Sequence, residues 1–129
     1  MSLTTMSDSE TTVAQLRERV EQFVADRHWH QFHTPKNLSM SLAIEAAELM
    51  EHFQWLTAEQ SRELKPEKLA EVGEELADVV TYALAMANEL RIDLSAAVID
   101  KMAKNERKYP AEEYRGLFGR DDPNKMGDA

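Results

Sequence analysis

The chain has 129 residues, a formal net charge of -9 and no cysteine, a length that fits one domain with a real core. The acidic balance disfavours general binding to nucleic-acid backbones or anionic membranes, and zero Cys excludes a disulfide framework, a thiolate zinc site and a cysteine nucleophile. Only four Gly and four Pro argue against a turn-rich β architecture, so an all-α fold is expected.

No apolar run approaches membrane-spanning length, and the N-terminus lacks a basic stretch followed by an apolar one. A cytoplasmic protein with no membrane or nucleic-acid polymer partner is the default expectation. Residues 1–6 read as a loose leader. Ser7-Asp-Ser-Glu10 then offers a capping box ahead of a first helix. Its apolar positions Val13, Leu16, Val20, Phe23 and Val24 follow a helical stripe that reads as core rather than as a site.

Arg27-His-Trp-His-Gln-Phe-His-Thr-Pro-Lys-Asn37 has no clean period and is broken by Thr-Pro, so it reads as a loop. Its aromatics and imidazoles suit either a base-stacking wall or a plug at the end of a bundle. A second helix is expected from Leu38 to Trp55, with Leu42, Ala46, Leu49, Met50 and Phe53 inward and Glu45 and Glu48 at the edge of that face. A capped turn over Thr57-Ala-Glu-Gln60 follows, and Pro66 starts a third helix that runs to Leu90.

From Leu76 to Ala87 the only polar residues are Asp78, Thr81 and Tyr82, which predicts an Asp78 at least partly buried. Apolar residues also cover more than one side of this helix (Val72, Leu76, Val79, Val80, Leu84, Met86), more than a monomer's surface helix needs, so a subunit interface is expected. Asp93 can cap a fourth helix, Leu94 to Tyr109, which Pro110 stops. Lys101, Lys104 and Lys108 share a face of it, with Asn105 between them. Residues 117–129 read as a flexible tail and 7–116 as the domain.

Two acidic pairs carry the chemistry. Glu45 with Glu48, and Glu75 with Asp78, each have the spacing i, i+3, so each helix sets two carboxylates side by side, and like charges so placed repel. No Lys or Arg occurs between Lys36 and Arg62, or between Lys68 and Arg91. A bound divalent cation is the simplest source of the missing charge, and hard carboxylate oxygens suit Mg²⁺, or Mn²⁺. An aromatic loop, a basic helix and such a metal make a site whose natural ligand is a nucleoside triphosphate, with hydrolysis of a phosphoanhydride as the reaction.

The ordered set Phe32-His-Thr-Pro-Lys-Asn-Leu38, Glu45-Ala-Ala-Glu-Leu49, Phe53-Gln-Trp55, Glu74-Glu-Leu-Ala-Asp78 with Tyr82, and Lys101-Met-Ala-Lys-Asn-Glu-Arg-Lys-Tyr-Pro110 resembles the all-α nucleoside triphosphate pyrophosphohydrolases of the MazG type, and among them the dCTP pyrophosphatase branch. The resemblance implies a four-helix bundle and a Mg²⁺-dependent cleavage between the α and β phosphates, giving a monophosphate and pyrophosphate in nucleotide-pool sanitation. It implies Glu45, Glu48, Glu75 and Asp78 as metal ligands, Trp29, His33, Trp55 and Tyr82 around the base and sugar, and Lys101 and Asn105 towards the phosphates. It further implies a homo-oligomer, a tetramer built from tightly packed pairs.

Two other readings stand beside it. Di-iron carboxylate bundles also pair acids on facing helices, but they use Glu-x-x-His, and none of the four His here follows a Glu by three residues. A non-catalytic oligomeric nucleotide- or metal-binding helical protein would leave the acids as surface charge, which the absence of basic residues around both pairs opposes.

Overall fold

The computed structural model describes residues 6–119 and 121–124, and among these every regular element is helical. The all-α expectation holds. Residues 1–5 of the expected leader and residues 120 and 125–129 of the expected tail lie outside the described residues.

The first helix, α1, spans Val13–Asp26 and starts on a capping box different from the predicted one. Gln15 N donates to Thr12 Oγ1 at 3.1 Å while Thr12 N donates to Gln15 Oε1 at 2.8 Å. Gln at the third helical position closes the box as well as Glu does. The Ser7–Glu10 segment forms only a turn, in which Thr11 N donates to Ser7 O at 2.9 Å.

His28, in the left-handed region at φ 54, redirects the chain, and Trp29–Gln31 forms a single 3-10 turn where the sequence predicts an irregular loop. The second helix, α2, spans Pro35–Glu51, earlier at both ends than predicted. The Thr-Pro break is its beginning: Thr34 Oγ1 accepts from Asn37 N at 3.2 Å, and Pro35 takes the first helical position, where its missing N–H costs nothing.

The capped turn is a short helix, α3 (Ala58–Arg62), again with a Thr-Gln box between Thr57 and Gln60. Helix α4 spans Pro66–Leu90 as predicted and ends on Arg91 at φ 54, a left-handed position usually given to Gly. Arg17 of α1 closes this end: its guanidinium donates to Ala87 O at 3.1 Å, to Ile92 O at 2.6 Å and to Asn88 Oδ1 at 3.0 Å. One side chain thus ties α1 to the end of α4, sharing Ala87 O with Ile92 N.

Contacts divide the chain between Ile92 and Asp93 into two compact units. In the first, α4 packs along α2 and against α1, with Val24, Leu38, Leu84, Ala85 and Ala87 buried. Several positions predicted as core are open in the single chain, among them Met50, at 61% exposure. Leu69, Leu76 and Val80 are likewise exposed, so α4 does present a second apolar side. No helix among the described residues is long and apolar enough to cross a membrane.

The second unit holds α5 (Leu94–Lys108), capped by Asp93 Oδ1 accepting from Ala96 N at 2.9 Å, and the four-residue α6 (Ala111–Tyr114). Within the stretch predicted to be a flexible tail, residues 117–119 and 121–124 form a turn around Asp122. Its buried carboxylate accepts from Asn124 N at 2.8 Å and from Phe118 N at 2.9 Å. Those backbone donors hold its carboxyl below the usual range, Asn124 contributing most.

Candidate active site

Helices α2 and α4 meet along two stripes of half-buried and buried residues. On α2 the stripe is Leu38, Leu42, Glu45 and Leu49, and on α4 it is Val72, Glu75, Val79 and Tyr82. Each stripe keeps the heptad-like spacing of packed helices, and each carries a glutamate where an apolar residue would complete the seam. This register sets Glu45 and Glu75 between the helices rather than on their outer faces.

Glu45, Glu48 and Glu75 converge, each offering a carboxylate oxygen within 4.8 Å of the others. One oxygen each of Glu45 and Glu75 is shut off from solvent and accepts no hydrogen bond, an arrangement unfavourable for a charged group without a partner. Among the described residues none of Glu45, Glu48, Glu75 and Asp78 has a Lys, Arg or His partner within ion-pair distance.

The acidity of the cluster follows from this crowding. The Glu45 carboxyl is pushed up to about 7, first by a hydrogen bond with Glu48 that favours its neutral form, then by burial and by the charges of Glu48 and Asp78. Glu75 is also raised, chiefly by burial and next by the charge of Glu48. Desolvated, mutually repelling oxygens are the donor set a hard divalent cation satisfies, and Glu45, Glu48 and Glu75 fit such an ion.

Asp78 differs from expectation. It is exposed and lies outside the three-carboxylate cluster, because the helical repeat carries it off the seam that holds Glu75 and Val79 while its apolar sequence neighbours point elsewhere. Its charge still reaches Glu45 and Glu75. Asp78 also lines the rim of a cleft of about 430 Å³ between α1, the 3-10 turn and α4, together with Trp29, His33 and Tyr82. It therefore joins the acidic cluster to three of the residues that the resemblance implies around a base.

In that cleft Trp29 stands edge-on to Phe23, ring centroids 5.6 Å apart, and is tilted against His33 at 6.0 Å. His33 Nδ1 is buried without a hydrogen-bond partner, a polar atom left for something that enters. Val20, Phe23 and Val24, read from sequence as core alone, line the same cleft, as do Arg19 and Thr81. A helical stripe cannot distinguish a wall from a core, since both are apolar faces turned inward.

Trp55 is not in this cleft. It follows α2, is 87% exposed and lines a separate depression with His52, Lys65 and Lys68. Lys101 and Asn105 lie one turn apart on α5 in the second unit, Lys101 exposed and Asn105 half-buried.

Residues 40–118 match the MazG-like family, a span holding the acidic cluster, Trp55, Tyr82, Lys101 and Asn105. The chain is 42% identical over 104 residues to dCTP pyrophosphatase 1 of Homo sapiens, covering 79% of this chain and 61% of that protein. To dCTP pyrophosphatase 1 of Bos taurus it is 41% identical over 110 residues, or 84% and 65% of the two lengths. It thus spans a little under two thirds of these relatives. A crystal structure of a pyrophosphatase from Archaeoglobus fulgidus DSM 4304 superposes with a TM-score of 0.73 at 40% identity, covering 81% of this chain and 98% of the other. With the expected acidic pairs set on packed helices, and with likeness in both sequence and fold, the chain belongs to the MazG-like family.

Proposed function

We propose that this protein is a Mg²⁺-dependent nucleoside triphosphate pyrophosphohydrolase acting on dCTP or a related, modified deoxynucleoside triphosphate, and that it serves to clear unwanted nucleotides in the cytoplasm. The observation that carries this reading is the convergence of Glu45, Glu48 and Glu75, two of them with an orphaned buried oxygen, joined through Asp78 to an aromatic cleft. The names of the relatives, dCTP pyrophosphatase 1 and pyrophosphatase, point the same way.

Mg²⁺, or Mn²⁺, held by Glu45, Glu48, Glu75 and Asp78 would neutralise phosphate charge and make water a better nucleophile. The chain's own residues supply the rest. Trp29 and His33 offer faces on which a base can stack, Tyr82 borders the same space, and α1 supplies an apolar wall to it. Lys101 and Asn105 supply a positive charge and an amide suited to phosphate oxygens. The exposed apolar side of α4, with Leu69, Leu76 and Val80, supports a homo-oligomer, which we take to be a tetramer of close pairs.

The test is product analysis on a panel of common and 5-modified nucleotides with Mg²⁺, followed by phosphorus NMR before any coupling enzyme is added. A monophosphate with pyrophosphate is expected, dCTP or a 5-modified relative reacting first. A diphosphate with orthophosphate would contradict the reading.

A further inference from the structure

The 3-10 turn that carries Trp29 is fastened by a side chain the proposed reaction does not use. His30 Nε2 lies 2.7 Å from Glu21 Oε1 on α1, and His30 Nδ1 lies 2.8 Å from Glu89 Oε1 on α4. Both ring nitrogens therefore meet carboxylates. A neutral imidazole has one N–H and one lone pair, so it can donate to only one of them and turns its lone pair on the other. The double contact requires imidazolium, and loss of its proton breaks one of the two bonds.

What the clamp joins gives it a role. Glu21 neighbours Val20 and lies two residues from Phe23, both of which line the cleft, while Glu89 lies one turn beyond Ala85, another lining residue. The next residue back from His30 is Trp29 itself, and His33 N donates to Trp29 O at 3.1 Å. The facing charged groups are Glu21 from α1 and Glu89 from α4. Of the basic side chains on α1 and at its end, Arg17 is committed to the end of α4, Arg19 lines the cleft, and the Arg27 guanidinium lies 3.7 Å over the Phe23 ring.

We propose that His30 is a positioning residue: as imidazolium it pins the Trp29–Gln31 turn to α1 through Glu21 and to α4 through Glu89, setting the aromatic wall of the cleft, and it releases that wall as pH rises. The ligand concerned is the nucleotide base, so the effect on catalysis rests on the cleft being the nucleotide site. The two carboxylates also hold the His30 pKa above its ordinary 6.5, Glu89 contributing most, which keeps the clamp closed to a higher pH than a free imidazole would allow.

The first test needs no substrate. The chain has two tryptophans, so Trp55→Phe leaves Trp29 as the only one, and its fluorescence in metal-free, nucleotide-free protein should change with pH at the midpoint at which the His30 ring titrates by NMR. Adding Glu89→Gln should move that midpoint down, and adding His30→Gln should abolish it. A transition that survives His30→Gln unchanged would belong to another group, such as His33, and would overturn the clamp.

The second test uses the otherwise wild-type enzyme. His30→Gln and Glu89→Gln should raise KM by roughly threefold or more at about pH 6, below the ordinary imidazole pKa, and by much less above the His30 midpoint found by NMR, where the clamp is open in every protein, with kcat little changed. Taking variant-to-wild-type ratios at each pH cancels the ionisation of substrate and metal ligands. A ratio independent of pH, or a loss confined to kcat, would overturn the positioning role. If wild type hydrolyses no nucleotide at any pH, the functional reading fails, and the fluorescence arm still decides the clamp.

Discussion

Glu45 on α2 and Glu75 on α4 approach each other within 4.8 Å across the seam between two packed helices, each with one oxygen buried and unpartnered. Apolar side chains at those positions would make an ordinary helix contact. Two carboxylates there leave the metal-free fold carrying repulsion that a divalent cation relieves, and several outcomes can be measured from that one relationship.

Without metal, stability should depend on pH through Glu45. Its carboxyl rises from 4.5 to about 7 on folding, so between those values the folded chain binds a proton that the unfolded chain has lost, and stability falls as pH rises across that window. His30, also raised, acts in the same direction, its contribution present at low pH and lost as pH rises through its folded pKa. Thermal melts in EDTA should therefore show a lower Tm at about pH 8 than at about pH 5, with a smaller difference in Glu45→Gln, and a pH slope unchanged in that variant would contradict the assignment. By the same linkage, metal binding near pH 6.5 should release protons, a signal that calorimetry in buffers of different ionisation heat can read.

Trp29 lines the cleft, and on the proposed reading it stacks on the base rather than at the reacting phosphorus, so its stacking should count equally in ground and transition states. Trp29→Ala should raise KM by roughly tenfold while lowering kcat much less. Steady-state kinetics at saturating Mg²⁺ checks this, and a loss only in kcat would remove Trp29 from base binding.

How far this arrangement could be read from sequence depended on which residues were local signals. The α4 span was legible because Pro66 opens it and an unbroken helical pattern follows, and both acidic pairs were legible because i, i+3 spacing fixes side-chain neighbours whatever the tertiary fold. The start of α1 was misplaced because two capping boxes, Ser7–Glu10 and Thr12–Gln15, follow one another closely and the one with Gln15 wins. The start of α2 was missed because Thr34-Pro35 serves equally as a break and as a cap with Pro at the first position. Burial was least legible: Asp78 sits among apolar sequence neighbours yet faces the rim of the cleft, and Phe23 keeps core spacing yet forms a wall. The separation of Trp55 from Trp29 depends on where the chain goes after α2, which no local pattern encodes.

The exposed second side of α4 should be an interface. Leu76, at 51% exposure, is apolar and outside the α2 seam, so Leu76→Glu should dissociate the proposed oligomer while leaving helix content intact. Sedimentation velocity would show smaller species with an unchanged far-ultraviolet spectrum. An unaltered sedimentation coefficient would place any interface elsewhere.

The central claim is that the convergent Glu45, Glu48 and Glu75, with Asp78 beside them, hold a divalent cation, and thermal melts of wild type and Glu75→Gln with and without millimolar Mg²⁺, at fixed ionic strength, test it most directly. The near-isosteric amide removes a charge without opening a cavity, so in EDTA the variant should unfold at an equal or higher temperature than wild type, against the usual trend for inward-facing substitutions. Asp78→Asn, at an exposed position, should have a smaller effect of the same sign. Mg²⁺ should stabilise wild type by about 1 kcal/mol or more once its concentration exceeds Kd several-fold, and Glu75→Gln far less. Equal Mg²⁺ shifts in wild type and Glu75→Gln would contradict the carboxylate site and the account built on it.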